Sequence, residues 1–135
     1  MTTPRLAPNL SSWTVLVADG SEGGRRLAGE TLARIGIRRL RTARDGAEAL
    51  TALAEHGPDL VLLDWDLQVV PAREVAAMAR TARPEADRAP AIVAVLSEPT
   101  RSVVEAAVAA GVDAILARPY SPRLLRERLE HARAA

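Results

Sequence analysis

Four short runs of almost purely apolar residues each end on a polar one: Val15 to Ala18 before Asp19, Leu60 to Leu63 before Asp64, Ile92 to Leu96 before Ser97, and Ile115 to Ala117 before Arg118. Unbroken Val, Leu and Ile over four or five positions fit strands buried on both faces, the pattern of a parallel sheet covered by helices. Around these runs the sequence predicts strands over residues 13–18, 59–63, 91–96 and 112–117. A further stretch, residues 37–42, alternates apolar and basic side chains, as a half-exposed edge strand does.

Between the strands the apolar spacing turns helical. Leu27, Leu32 and Ile35 mark a first helix after a Gly20 to Gly24 loop, and Gly36 ends it. Asp45 caps a second helix carrying Ala49, Leu50 and Leu53, closed by the breaker pair Gly57-Pro58. Pro71 opens a third helix running to about Thr81, and Pro99, with Ser97 as its cap, a fourth that stops at Gly111. Ser121-Pro122 starts the last, with Leu124, Leu125 and Leu129 on its inner face. Five strand–helix repeats with right-handed crossovers predict an α/β fold: a three-layer α/β/α sandwich around a flavodoxin-like five-stranded parallel sheet. The order 2-1-3-4-5 follows because the second strand reads as an edge while the first and third read as central.

A chain of 135 residues with 48% hydrophobic content suits a single domain, taken here as residues 13–135 after a flexible N-terminal tail over residues 1–12 that contains Pro4 and Pro8. The only aromatic residues are Trp13, Trp65 and Tyr120, so Leu, Val, Ile and Ala must fill the core and the helices must lie close to the sheet. Eighteen basic against seventeen acidic side chains leave a formal charge of +1, and the Arg38, Arg39, Arg41 and Arg44 cluster reads as a solvated rim. That balance argues against nucleic acid as a partner. No apolar stretch approaches the ~18 residues that span a bilayer, no signal-peptide core begins the chain, and cysteine is absent, so the expected location is the cytoplasm with no membrane partner.

Ligand sites in parallel sheets lie beyond the carboxyl ends of the strands. Asp19, Asp64, Ser97 and Arg118 should therefore meet in one crevice. Gly20, Gly23 and Gly24 match neither a dinucleotide fingerprint nor a P-loop, and His56 and His131 fall at helix ends as surface residues. Val69 and Val70 either tuck under their loop or mark a contact patch.

The succession Val15-Leu16-Val17-Ala18-Asp19, Arg25-Arg26, Ala43-Arg44-Asp45-Gly46-Ala47-Glu48-Ala49-Leu50, Pro58 to Trp65, Leu96-Ser97, Ala110-Gly111-Val112 and Arg118-Pro119-Tyr120 resembles the receiver domains of bacterial two-component response regulators, above all the single-domain chemotaxis type. The match runs from Thr14 to about Ala132. The resemblance implies a signalling protein rather than an enzyme, with Asp64 as phosphoacceptor and Ser97 and Arg118 beside the phosphoryl group. It implies Mg²⁺ held by Asp19, Asp64 and the Asp66 backbone carbonyl, and a cis Arg118–Pro119 bond. Its partners would be a histidine kinase or phosphotransfer protein and a downstream target. That target would dock on the face of the fourth helix, fifth strand and fifth helix, and self-association as a homodimer is left open.

Departures from the family pattern cluster at that pocket. Gly20 replaces the second acidic residue, usually a direct metal ligand, which weakens the expected Mg²⁺ site unless Glu22 or Asp66 compensates. Arg118 replaces a lysine with a planar, permanently charged fork able to clamp Asp19 and Asp64. Glu98 stands where a small residue is usual, Gln68 where proline is usual, Pro71-Ala72 replaces Asp-Gly, and Ile115 replaces an aromatic. Two readings follow: a stand-alone receiver in a phosphorelay, phosphorylated on Asp64 and signalling by protein contact, or a phosphorylation-independent pseudo-receiver interaction module locked by Arg118. A flavodoxin-like binder of a small ligand is a third and more distant one.

Overall fold

A computed structural model describes residues 9–134. Five strands, β1 (Thr14–Ala18), β2 (Arg39–Ala43), β3 (Leu60–Asp64), β4 (Ala91–Leu96) and β5 (Ala114–Ala117), alternate with helices α1 (Glu22–Arg34), α2 (Gly46–His56), α3 (Ala72–Ala79), α4 (Arg101–Ala109) and α5 (Pro122–Ala134). The strands pair in parallel in the order β2-β1-β3-β4-β5, as expected. Alternate strand residues divide the core. Val15, Val17, Leu60, Leu62, Val93 and Val95 pack on α1 and α5, whereas Leu16, Val61, Leu63 and Ile92 pack on α2 and α3 and Leu96 packs on α4. Buried Ala28, Ala49, Ala76, Ala107 and Ala132 supply the small contacts that let each helix approach a core without phenylalanine.

Both poles of the sheet use aspartate, differently. At the amino-terminal pole Asp59 accepts the Thr14 N–H at 2.8 Å and Asp113 accepts the Ile92 N–H at 2.8 Å, so these carboxylates finish backbone ladders. At the carboxyl-terminal pole the backbone itself completes the ladder. The Asp19 N–H reaches the Ala43 carbonyl at 3.0 Å and the Arg118 N–H the Leu96 carbonyl at 2.9 Å, which holds both residues in line with their strands and leaves their side chains for other work.

Several expectations are corrected. Leu10–Ser12 form a 3₁₀ turn in which Leu10 is buried against the α1–α5 face while Asn9, Ser11 and Ser12 stay exposed; the rest of the expected tail, residues 1–8, lies outside the described residues. Helix α1 starts at Glu22 with Ser21 as its cap, which moves Gly23 and Gly24 from the loop into the first turn. Its inner face is Ala28, Thr31 and Leu32, and Leu27 is exposed. The edge strand starts at Arg39 and is exposed at every position before Ala43, while Ile37 is buried ahead of it. Thr100, not Ser97, caps α4, accepting the Val103 N–H, and β5 begins at Ala114. No helix among the described residues is long and apolar enough to cross a membrane.

The β3–α3 loop carries a strained residue. Val69 has φ of 73°, the left-handed region that a β-branched side chain disfavours, and it is 73% exposed, so no packing compensates. Both neighbours are tied down: the Gly46 N–H bonds the Gln68 carbonyl at 2.9 Å, and a Cβ at Gly46 would lie 2.1 Å from the Val70 carbonyl oxygen. The N-terminus of α2 thus shapes this loop. Val69→Asn, whose side chain tolerates that backbone, is expected to stabilise the domain by about 1 kcal/mol, measured by urea denaturation at constant m-value.

Candidate functional site at the carboxyl pole of the sheet

Register brings the polar strand ends together. Ala18 lies opposite Leu63, so Asp19 follows beside Asp64, and Leu96 lies opposite Ala117, so Ser97 follows beside Arg118. The Arg118 side chain crosses between the two pairs. Its Nη2 donates to Asp19 Oδ2 at 2.8 Å, and its Nη1 to Ser97 Oγ at 3.0 Å and to Asp64 Oδ1 at 3.5 Å. The Arg118–Pro119 peptide is cis. Because Thr100 caps α4, Ser97 is free to accept this bond.

Asp19 is 3% exposed, an unusual depth for a carboxylate. Its partners explain the tolerance: Oδ1 accepts the Ser21 N–H at 2.8 Å and Oδ2 the guanidinium, while the Arg25 guanidinium binds its carbonyl at 2.9 Å. Asp64 is more open. Its Oδ1 accepts the Asp66 N–H at 3.2 Å and the long contact from Arg118, and its Oδ2 takes part in none of the described hydrogen bonds. Burial pushes the Asp64 carboxyl above the ordinary aspartate range; the Asp66 N–H and the Arg118 charge pull it back only in part, and the charge on Asp19 adds to the rise.

Other expected contributors stay apart. Glu22 pairs with Arg26 at 3.6 Å on the outside of α1. Asp66 and Glu98 are exposed, and neither carboxylate joins the four-residue cluster. The Asp66 carbonyl accepts the Gln68 amide at 3.0 Å. Gly20 contributes no side chain, although a Cβ there would meet only the Arg44 carbonyl oxygen at 3.6 Å, so space is not what excludes a carboxylate. Each oxygen that the sequence nominated for Mg²⁺, save Asp64 Oδ2, is already an acceptor. Among the described residues no three acidic or histidine side chains converge as a metal site. With Arg118 docked, the donor set does not fit a divalent ion, which needs a near-octahedral oxygen shell.

Sequence reasoning missed Gly24. A Cβ there would lie 2.3 Å from Asp19 Oδ2, so the bare Cα is what lets the Asp19 carboxylate lie against the first turn of α1. The available signal was a glycine three residues after the Ser21 cap, at a position no helix needs glycine for.

Comparison with known proteins bears on this geometry. Residues 15–130 match the response regulator receiver domain family. The chain belongs to that family. It is 31% identical over 117 residues to the chemotaxis protein CheY homolog of Campylobacter jejuni, covering 86% of this chain and 88% of the relative. CheY1 of Helicobacter pylori is 28% identical over the same length, covering 86% and 93%. Chemotaxis response regulator CheY4 of Vibrio cholerae superposes with a TM-score of 0.76 at 24% identity, covering 89% of this chain and 98% of that one. The receiver domain of the Pseudomonas aeruginosa sensor histidine kinase PA1611, which has a magnesium ion coordinated in its active site cleft, superposes at 0.78 with 19% identity, covering 91% and 98%. Receiver domains are signalling proteins of two-component phosphorelays, working with histidine kinases and downstream proteins, and are not classical enzymes.

Two predictions follow from the receiver's pocket. The folded state holds a proton on Asp64 more tightly than the unfolded chain. The stability this proton contributes is complete below the unfolded aspartate pKa and is lost as pH rises through the raised folded value. Asp64→Asn, which imitates the protonated form, should therefore raise the melting temperature at neutral pH, and the gain should vanish below about pH 4. Gly24→Ala should destabilise by about 2 kcal/mol, since Asp19 has to leave its seat; calorimetry of the three proteins across pH checks both.

Proposed function

We propose that Asp64 is the phosphoacceptor of this receiver domain and that Ser97 and Arg118 hold the transferred group. The observation that carries the reading is the Arg118 fork, which reaches Asp64 and Ser97 together while Asp64 Oδ2 stays free of the described hydrogen bonds. In the transfer, Asp64 Oδ2 attacks the phosphorus of a phosphorylated imidazole. The new O–P bond forms as the N–P bond breaks, and the departing imidazole nitrogen takes up a proton. The guanidinium and the Ser97 hydroxyl then donate to phosphoryl oxygens, as charge-assisted bonds to phosphate favour. A histidine kinase or phosphotransfer protein is the donor in this reading. Mg²⁺ at Asp19, Asp64 and the Asp66 carbonyl is at most weak, since Gly20 offers no oxygen and the other donors are engaged.

The downstream partner in this reading docks on the α4–β5–α5 face. Val108, 61% exposed, lies there in a cleft with Val112, Ile115 and Arg128, and the Arg128 guanidinium ties α5 to the Ile115 carbonyl at 2.9 Å. A second reading, favoured by the closed Asp19–Arg118–Ser97 contacts, is a phosphorylation-independent module locked by that arginine. Intact-mass spectrometry after incubation with acetyl phosphate separates them. Gain of one phosphoryl group, absent in Asp64→Asn, is the expected result, and no gain at high donor concentration leaves the locked module.

A further inference from the structure

We propose that the Arg118 guanidinium occupies the cation position of this pocket, so that a covalently attached monovalent group serves Asp19 and Asp64 in place of a divalent metal ion. The inference concerns the same site as the proposed function. Its metal half stands without the acceptor role of Asp64, and its phosphoryl half rests on that role.

Three observations and one property of arginine converge. Both outer atoms of the fork are committed: Nη2 lies 2.8 Å from Asp19 Oδ2, and Nη1 lies 3.0 Å from Ser97 Oγ and 3.5 Å from Asp64 Oδ1. A guanidinium is planar, weakly hydrated and always charged, and its donors point in fixed directions, which suits it to rest between two carboxylates. The remaining oxygen of Asp19 accepts the Ser21 N–H at 2.8 Å, and the α1 backbone at Gly24 lies against the same carboxylate, so its surroundings are closed to a hydrated ion. The position where a further carboxylate has room, Gly20, has no side chain, and the Asp66 carbonyl is taken by Gln68 at 3.0 Å.

Charge gives the same result. Two carboxylates, Asp19 and Asp64, face one permanently charged guanidinium. A divalent ion entering beside the docked fork would meet its repulsion at contact distance and find, among the oxygens of Asp19, Asp64 and the Asp66 carbonyl, only Asp64 Oδ2 outside the described hydrogen bonds. Arginine and metal are therefore competitors for one place, and the arginine is tethered there.

Titration of MgCl₂ and MnCl₂ into the full chain, followed by the fluorescence of Trp65 next to Asp64 and by Mn²⁺ water-proton relaxation, tests the metal half. Wild type should bind either ion about tenfold more weakly than Arg118→Met and Arg118→Lys. The lysine variant keeps a charge and guards against loss of folding in the methionine variant, with circular dichroism confirming the fold of each. Equal affinity in wild type and variants, or no binding in any of them, overturns the assignment. Beryllofluoride, a mimic of a phosphoryl group on a carboxylate, tests the other half. Wild type should bind it equally, within about twofold, in EDTA and in Mg²⁺, whereas Arg118→Lys should need Mg²⁺. A strict Mg²⁺ requirement in wild type overturns the inference. No beryllofluoride binding under either condition overturns the acceptor reading of Asp64 instead, and the metal titration then decides the assignment of Arg118 by itself.

Discussion

One guanidinium placed between two strand-end carboxylates governs the carboxyl pole of this domain. Asp19 is buried deeply enough that an unpaired charge there would be strongly destabilising, and the Arg118 fork with the Ser21 N–H is what makes the burial tolerable. The contact to Asp64 is longer, 3.5 Å against 2.8 Å, and burial, offset only in part by the Asp66 N–H and the Arg118 charge, leaves the Asp64 pKa raised. The same arginine thus stabilises one carboxylate fully and the other only in part. On the proposed reading, the phosphoacceptor is the less satisfied of the two.

The sheet shows why similar residues acquire different roles at its two ends. Parallel strands end with N–H and C=O groups that need partners, and at the amino-terminal pole Asp59 and Asp113 supply them. At the opposite pole the Ala43 and Leu96 carbonyls bind the backbone of Asp19 and Arg118, so those side chains are not consumed by the ladder. Supporting contacts come from outside the cluster. Gly24 clears the space for Asp19, and the α2 N-terminus at Gly46 braces the loop that holds Asp66 and Gln68. The strained Val69 sits in that braced loop, as local strain does where the surrounding structure over-determines the backbone.

Much of this was legible in the sequence, for identifiable reasons. Unbroken Val and Leu runs mark central strands, Asp45 and Ser121 announce helix starts, and the Gly57-Pro58 pair a helix end; these signals are local and survive folding. The failures have a common origin in packing. Leu27 belongs to the apolar spacing that marks α1, but Ala28, Thr31 and Leu32 form the inner face and Leu27 lies outside it. Ser97 looked like a helix cap, yet Thr100 takes that role, because the helix starts where its own first turn can close. Glu22 was a candidate replacement for the acid missing at Gly20, and its i,i+4 partner Arg26 draws it away along the helix.

By itself, then, the order of apolar runs and their terminal polar residues determined the α/β sandwich, the strand order and the meeting of Asp19, Asp64, Ser97 and Arg118, since parallel strands can end only on one side. Tertiary structure decided how those four are shared: which oxygens the fork engages, which one stays open, and how completely the aspartates are shielded. Such distinctions depend on tenths of an ångström between side chains far apart in sequence, on the empty space at Gly24, and on the depth of burial. No periodicity or motif encodes these quantities, because they exist only once the helices have closed over the sheet.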